Sequence, residues 1–132
     1  MILVPISLGE LIDKITILKI KILKIKDENK LKNVFDEYIQ LSEILKMNNF
    51  TEENSLFIDL YSLNLEFWEY HDWQREKWRV LEGKDNLIDI ELYKKNREEH
   101  ILNDKRAGIK KKINIQFNSQ IIEEKQFISY NI

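Results

Sequence analysis

The sequence predicts an all-α fold: an antiparallel four-helix bundle in which a long hairpin of the third and fourth helices projects past the first two. Three observations predict it. Breakers are sparse, with one proline (Pro5) and three glycines (Gly9, Gly83 and Gly108) in 132 residues. Apolar residues recur at helical spacing in four long stretches. Short polar connections separate these stretches, and they turn successive helices back on one another.

The first helix is predicted over 8–26, within "SLGELIDKITILKIK" and beyond. Ser7 and Glu10 have the spacing of a capping box, and Leu8, Leu11, Ile15, Leu18, Ile22 and Ile25 keep a core-like repeat. Asp27 caps the second helix, 28–47, whose inner side is Leu31, Val34, Phe35, Tyr38, Leu41, Ile44 and Leu45. After the loop "MNNFT", Thr51 followed by Glu52 and Glu53 is an N-terminal signal for a third helix, 52–82, that stops at Gly83. The fourth follows "GKDN" and runs 87–117. The spaced apolar residues of 118–132 suit an extended segment or short helix packed back on the bundle. At 1.5 Å per residue the first two helices span roughly 30 Å and the last two roughly 45 Å. The second hairpin therefore overshoots, at about 73–97.

Composition narrows the function classes. A chain of 132 residues, 43% hydrophobic, fits one domain with a real core. Its 21 basic and 23 acidic residues leave a net charge of -2, which argues against a general nucleic-acid binder. The absence of cysteine excludes disulfides, thiol catalysis and cysteine metal sites. Two histidines, 29 residues apart, make a poor zinc site. The acids Glu66, Glu69, Asp72 and Glu76 have helical spacing, but Glu66 points away from Asp72, so no metal site is expected. No motif implies a cofactor. The N-terminal "MILVPIS" lacks a basic leader, and no stretch approaches the ~20 apolar residues of a membrane span, so a cytoplasmic protein with no membrane partner is expected.

Charge is segregated along the chain. Residues 14–26 and 105–112 carry only basic charges, whereas 35–76 is mostly acidic. Mutual neutralisation across the bundle and a basic surface for an anionic partner both fit. Within the fourth helix, Asn103, Arg106, Lys110 and Asn114 fall on one narrow arc with Leu92 and Phe117. An inward arc that carries cations needs partners, because a buried unpaired charge costs several kcal/mol. The third helix places Asn64, Trp68, His71 and Arg75 on a face with Leu60 and Phe67, with Asp72 at its edge. If the first and third helices start level and the fourth ends there, Asp13 and Lys14 lie level with Lys110, and Asn64 with Arg106. Glu10 and Asp13 are then the counter-charges of the fourth-helix cations. His71 reads as a packed histidine and His100 as solvent-facing.

Four stretches, "GELIDKITILKIK", "LNLEFWEYHD", "NDKRAGIKKKIN" and "EEKQF", carry a resemblance over nearly the whole chain. They resemble a family of small helical bacterial and phage-associated proteins classed as a domain of unknown function. The resemblance implies importance for Gly9, Glu10, Asp13, Lys14, Asn64, Trp68, Asp72, Arg75, Asn103, Arg106, Lys110, Asn114, Glu124 and Lys125. It supplies no activity. The chain departs from the pattern at His71, where an acid is expected, and at Asn118, where a glycine is. A fainter resemblance, through "ELIDKITILKIKIL", is to the all-helical chorismate mutases, which bind a dicarboxylate between helices with arginines and a lysine. The first helix here has no arginine.

The expected function is a non-catalytic binding or assembly module whose interhelical polar cluster serves architecture or holds a small anion. The alternatives are a small-molecule enzyme acting on an anionic metabolite at Arg106, Lys110, Asp13 and Asn64, or a nucleic-acid accessory protein. The hairpin tip carries Trp73, Trp78, Val80, Leu81, Leu87, Ile88, Ile90, Leu92 and Tyr93, more apolar surface than two helices can hide from each other. A homodimer through Trp73 and Trp78 is therefore expected.

Overall fold

The computed structural model describes residues 1–84 and 89–126. Leu87 and Ile88, and 127–132 of the tail, lie outside the described residues. Four helices pack together: α1 (Leu8–Lys24), α2 (Glu28–Met47), α3 (Ser55–Leu81) and α4 (Ile90–Gln116). Among the described residues there is no strand, and no helix is long and apolar enough to cross a membrane.

The helix ends follow local chemistry. Ser7 accepts from the Glu10 amide at 3.0 Å and starts α1, and Asp27 accepts from the Lys30 amide at 3.0 Å and starts α2. Asn48 and Asn49 end α2, with Asn49 at φ 56°. Asn118, where the resemblance expects glycine, has φ 53° just past α4. Asparagine is among the few side chains that tolerate this left-handed region, so it can replace glycine there. The third helix starts later than the Thr51 signal suggests. Its cap is Asn54, which accepts from the Leu56 amide at 2.9 Å, because Glu52 is engaged elsewhere by Lys19 and Tyr38. Asp89 caps α4 through the Leu92 amide, so that helix begins at Ile90.

α1 is the central element. It packs against each of the other three helices, α3 also packs against α4, and α2 packs against α1 alone. This explains why α1 is buried on more than the one stripe its repeat suggests: Ile12, Thr16 and Ile20 are buried along with Leu11, Ile15 and Leu18. The main core joins Leu11, Ile12 and Ile15 to Leu45, Phe50, Phe57, Leu60 and Ile113. Phe50 meets Phe117 edge-on at 4.8 Å.

Two expectations are corrected. With one neighbour, α2 can bury only one stripe, through Val34 and Leu45, so Phe35 and Ile44 are each 44% exposed instead of facing inward. For the same reason α2 does not shield α3. The first and third helices also do not start level. Asp13 and Thr16 meet Asn64, whereas Lys19, further along α1, reaches Glu52, Phe57 and Tyr61. As α1 advances, its partners on the third-helix side recede. A short helix wedged among three others takes the direction that buries its two apolar sides.

Candidate functional site

The polar cluster forms where the start of α1, the middle of α3 and the last third of α4 converge. Its centre is Lys110. Its ammonium lies 2.5 Å from Glu10 Oε2, 3.8 Å from a Glu123 carboxylate oxygen and 4.0 Å from Asp13 Oδ2. Asp13, only 7% exposed, accepts from Asn64 Nδ2 at 2.7 Å. That amide also donates to Thr16 Oγ1 at 2.8 Å, and the Thr16 hydroxyl donates to the Asp13 carbonyl at 2.7 Å. Asn114, almost wholly buried, accepts the Gly9 amide at 2.7 Å. Asn64 Oδ1 and Asn114 Nδ2 are buried without a partner among the described residues. The tail closes this end. Ser7 donates to Glu123, the Leu8 amide donates to Ser119 Oγ at 3.1 Å, Lys111 pairs with Glu124 and Lys125 with Asp104.

The electrostatics follow from this crowding. Burial pushes the Glu10 carboxyl up, but the Lys110 hydrogen bond and the charges of Lys110, Lys14 and Arg106 outweigh it and hold Glu10 below the ordinary carboxylate value. A carboxylate with a lowered folded-state pKa stabilises the fold at neutral pH. That contribution is lost as pH falls through the folded-state value. Glu10→Gln is therefore expected to be less stable than the parent at pH 7 and to lose less on acidification to pH 3. Urea midpoints at both pH values measure this, and an unchanged acid-induced loss counts against the assignment.

Of the residues singled out from sequence, Glu10, Asp13, Asn64, Lys110 and Asn114 come together. Lys14 stands at the rim, half-exposed, 3.8 Å from Glu10. Arg106 and Asn103 lie beside the cluster, with Arg106 Nη2 donating to Asn103 Oδ1 at 2.7 Å. The Arg106 guanidinium covers the Phe67 ring at 4.8 Å. Trp68 is half-buried. Asp72 and Arg75 are exposed, pair with each other at 3.5 Å and take no part in the cluster. On α3 they lie beyond the stretch that α1 reaches.

Sequence reasoning missed Ser7 as a tail anchor, Thr16 and Glu123. Thr16 sits three residues after Asp13, a detectable signal. Glu123 opens the "EEKQF" stretch, but its role was not legible, because it depends on the return of an irregular tail. A second network was also missed: Glu52 accepts from Lys19 and from Tyr38 Oη, both at 2.7 Å, and so ties α1 and α2 to the loop before α3. Burial would raise the Glu52 carboxyl, but these two hydrogen bonds and the nearby lysines lower it.

Two clefts flank Arg106 and Asn103, which line both. One, of about 550 Å³, runs under the tail past Lys110, Asn114 and Lys125. The other, of about 360 Å³, lies between α3 and α4 and is walled by Phe67, His71, Glu99 and His100. Among the described residues, no three acids or histidines gather closely enough to hold a metal ion. The chain matches no family model, no curated protein and no solved structure.

Proposed function

We propose that the chain is a non-catalytic binding or assembly module, acting in the cytoplasm, in which the Lys110 cluster locks the helices in register. The observation that carries this reading is the crowding of Glu10, Asp13 and Glu123 around one ammonium. Lys110 is so well compensated that an anionic substrate arriving there would meet three carboxylates. An enzyme built on Arg106, Lys110, Asp13 and Asn64 would need that lysine free.

α1 and α3, which the level-start expectation made parallel, run in opposite senses, and the α3–α4 hairpin is read as antiparallel and projecting. Supporting this, the partners of α3 descend along α4: Phe67 meets Arg106, His71 meets Glu99, Tyr70 and Gln74 meet Asn96, and Lys77 meets Glu91 and Asp89. Both helices have 27 residues against 17 and 20 for α1 and α2. At the projecting end Trp78 is 55% and Tyr93 74% exposed, and Val80 and Ile90 are exposed too. Trp73 is half-buried against Tyr70 and Lys77. A second copy of the chain is the proposed cover, joined two-fold through this tip. Sedimentation at micromolar concentration tests it. A dimer is expected that dissociates when Trp78 is changed to Glu. A 16 kDa monomer, or a dimer indifferent to that change and to Trp73→Glu, refutes it.

A further inference from the structure

The compensation of Lys110 makes its neighbour conspicuous. Arg106 has no carboxylate within ion-pair distance among the described residues. Its Cζ lies over the Phe67 ring, 4.8 Å from the ring centre, and one N–H is held by Asn103. A guanidinium carries five N–H donors in a planar fork that fits an oxyanion, and the Asn103 bond uses one of them. Charge-assisted, bidentate pairing with an oxyanion is the strongest bond such a half-buried guanidinium can make.

The smaller cleft gives the receptor a shape. Arg106 lies over the Phe67 ring, whose centre is 5.9 Å from that of His71. His71 Nε2 lies 3.1 Å from Glu99 Oε1. Glu99 is the one carboxylate on this wall, and His71 already engages it. Asn103, whose Oδ1 is committed to Arg106, keeps its amide N–H groups for a ligand. The cleft volume of about 360 Å³ is that of a small-molecule site. The larger cleft is a weaker host, because Asp104, Glu123 and Glu124 line it.

We infer that the cleft between α3 and α4 bounded by Phe67, His71, Asn103 and Arg106 binds a small molecule through a carboxylate or phosphate group, with Arg106 as its fork. This site is separate from the Lys110 cluster and does not depend on the assembly reading. Its binding group meets the Arg106 edge in plane, and Asn103 donates a further hydrogen bond.

Nuclear magnetic resonance on the full chain tests this, with inorganic phosphate and acetate as probes at constant ionic strength. Saturable shifts are expected at the Arg106 Nε–H, the Asn103 side-chain amide and the His71 ring. Phosphate tighter than acetate, or the reverse, identifies the preferred oxyanion. Arg106→Lys keeps the charge and loses the fork, and is expected to weaken binding at least tenfold. Arg79→Gln, at an exposed pair with Glu76, is expected to leave it unchanged. The inference is overturned if neither probe produces saturable shifts in the parent protein. Binding by Arg106→Lys within twofold of the parent also overturns it.

Discussion

Gly9→Ala is expected to destabilise the fold by about 2–3 kcal/mol, despite alanine being the better helix former. A Cβ at residue 9 would sit 2.6 Å from the Lys110 carbonyl oxygen and 3.0 Å from Asn114 Oδ1. The first of these is backbone and cannot rotate away, so α1 must shift from α4. Overpacking of this kind costs about 1–3 kcal/mol. The shift also strains the Gly9 to Asn114 hydrogen bond, which satisfies a buried amide. Alanine's intrinsic gain of about 1 kcal/mol in a helix works in the other direction. Gly108→Ala is the internal control. It is helical too, but a Cβ there meets nothing within 4 Å, so a gain of about 0.5–1 kcal/mol is expected. Urea unfolding of both variants decides the matter. A Gly9→Ala protein as stable as the parent would show that α1 does not approach α4 as closely as described.

Asp13→Ala is expected to cost about 2–3 kcal/mol, because it strands Asn64 in the core without its charged acceptor. Breaking a wholly buried ion pair would cost about 3–5 kcal/mol. Here the loss is smaller, since Lys110 keeps Glu10 at 2.5 Å and loses only the more distant carboxylate at 4.0 Å. Asp13→Asn separates the two contributions. It keeps an acceptor for Asn64 and removes only the charge, so a cost of about 1 kcal/mol or less is expected, in line with a secondary ion pair. If the two variants lose equal stability, the charge near Lys110 governs the site and the Asn64 bond does not.

These two sites mark the boundary between local and tertiary information. The number, order and approximate ends of the helices were legible, because caps such as Ser7 and Asp27, the glycine at 83 and the 3.6-residue repeat act within a few residues of chain. Placing Asn103, Arg106, Lys110 and Asn114 on one arc, with Glu10 and Asp13 as counter-charges for the cations, used the same local periodicity. It succeeded for Lys110 because side chains on one helical face must share neighbours. It failed for Arg75, on the Asn64 face, and for Asp72, at its edge, because their height along α3 lies beyond α1.

An all-helical fold follows from the sequence alone, as does the shared arc of Asn103, Arg106, Lys110 and Asn114 on α4. Only the tertiary structure decided that α1 is the hub, and hence that Phe35 and Ile44 face outward, because periodicity counts apolar residues but not the neighbours available to cover them. It alone decided which cation forms direct ion pairs among the described residues. Lys110 gathers carboxylates from α1 and from the tail, 13 residues further along the chain at Glu123, whereas Arg106, one turn earlier, bonds to Asn103, lies over Phe67 and acts on Glu10 from beyond ion-pair distance. Charge pairing across elements depends on distances of a few ångströms between segments far apart in sequence, and no local pattern encodes those.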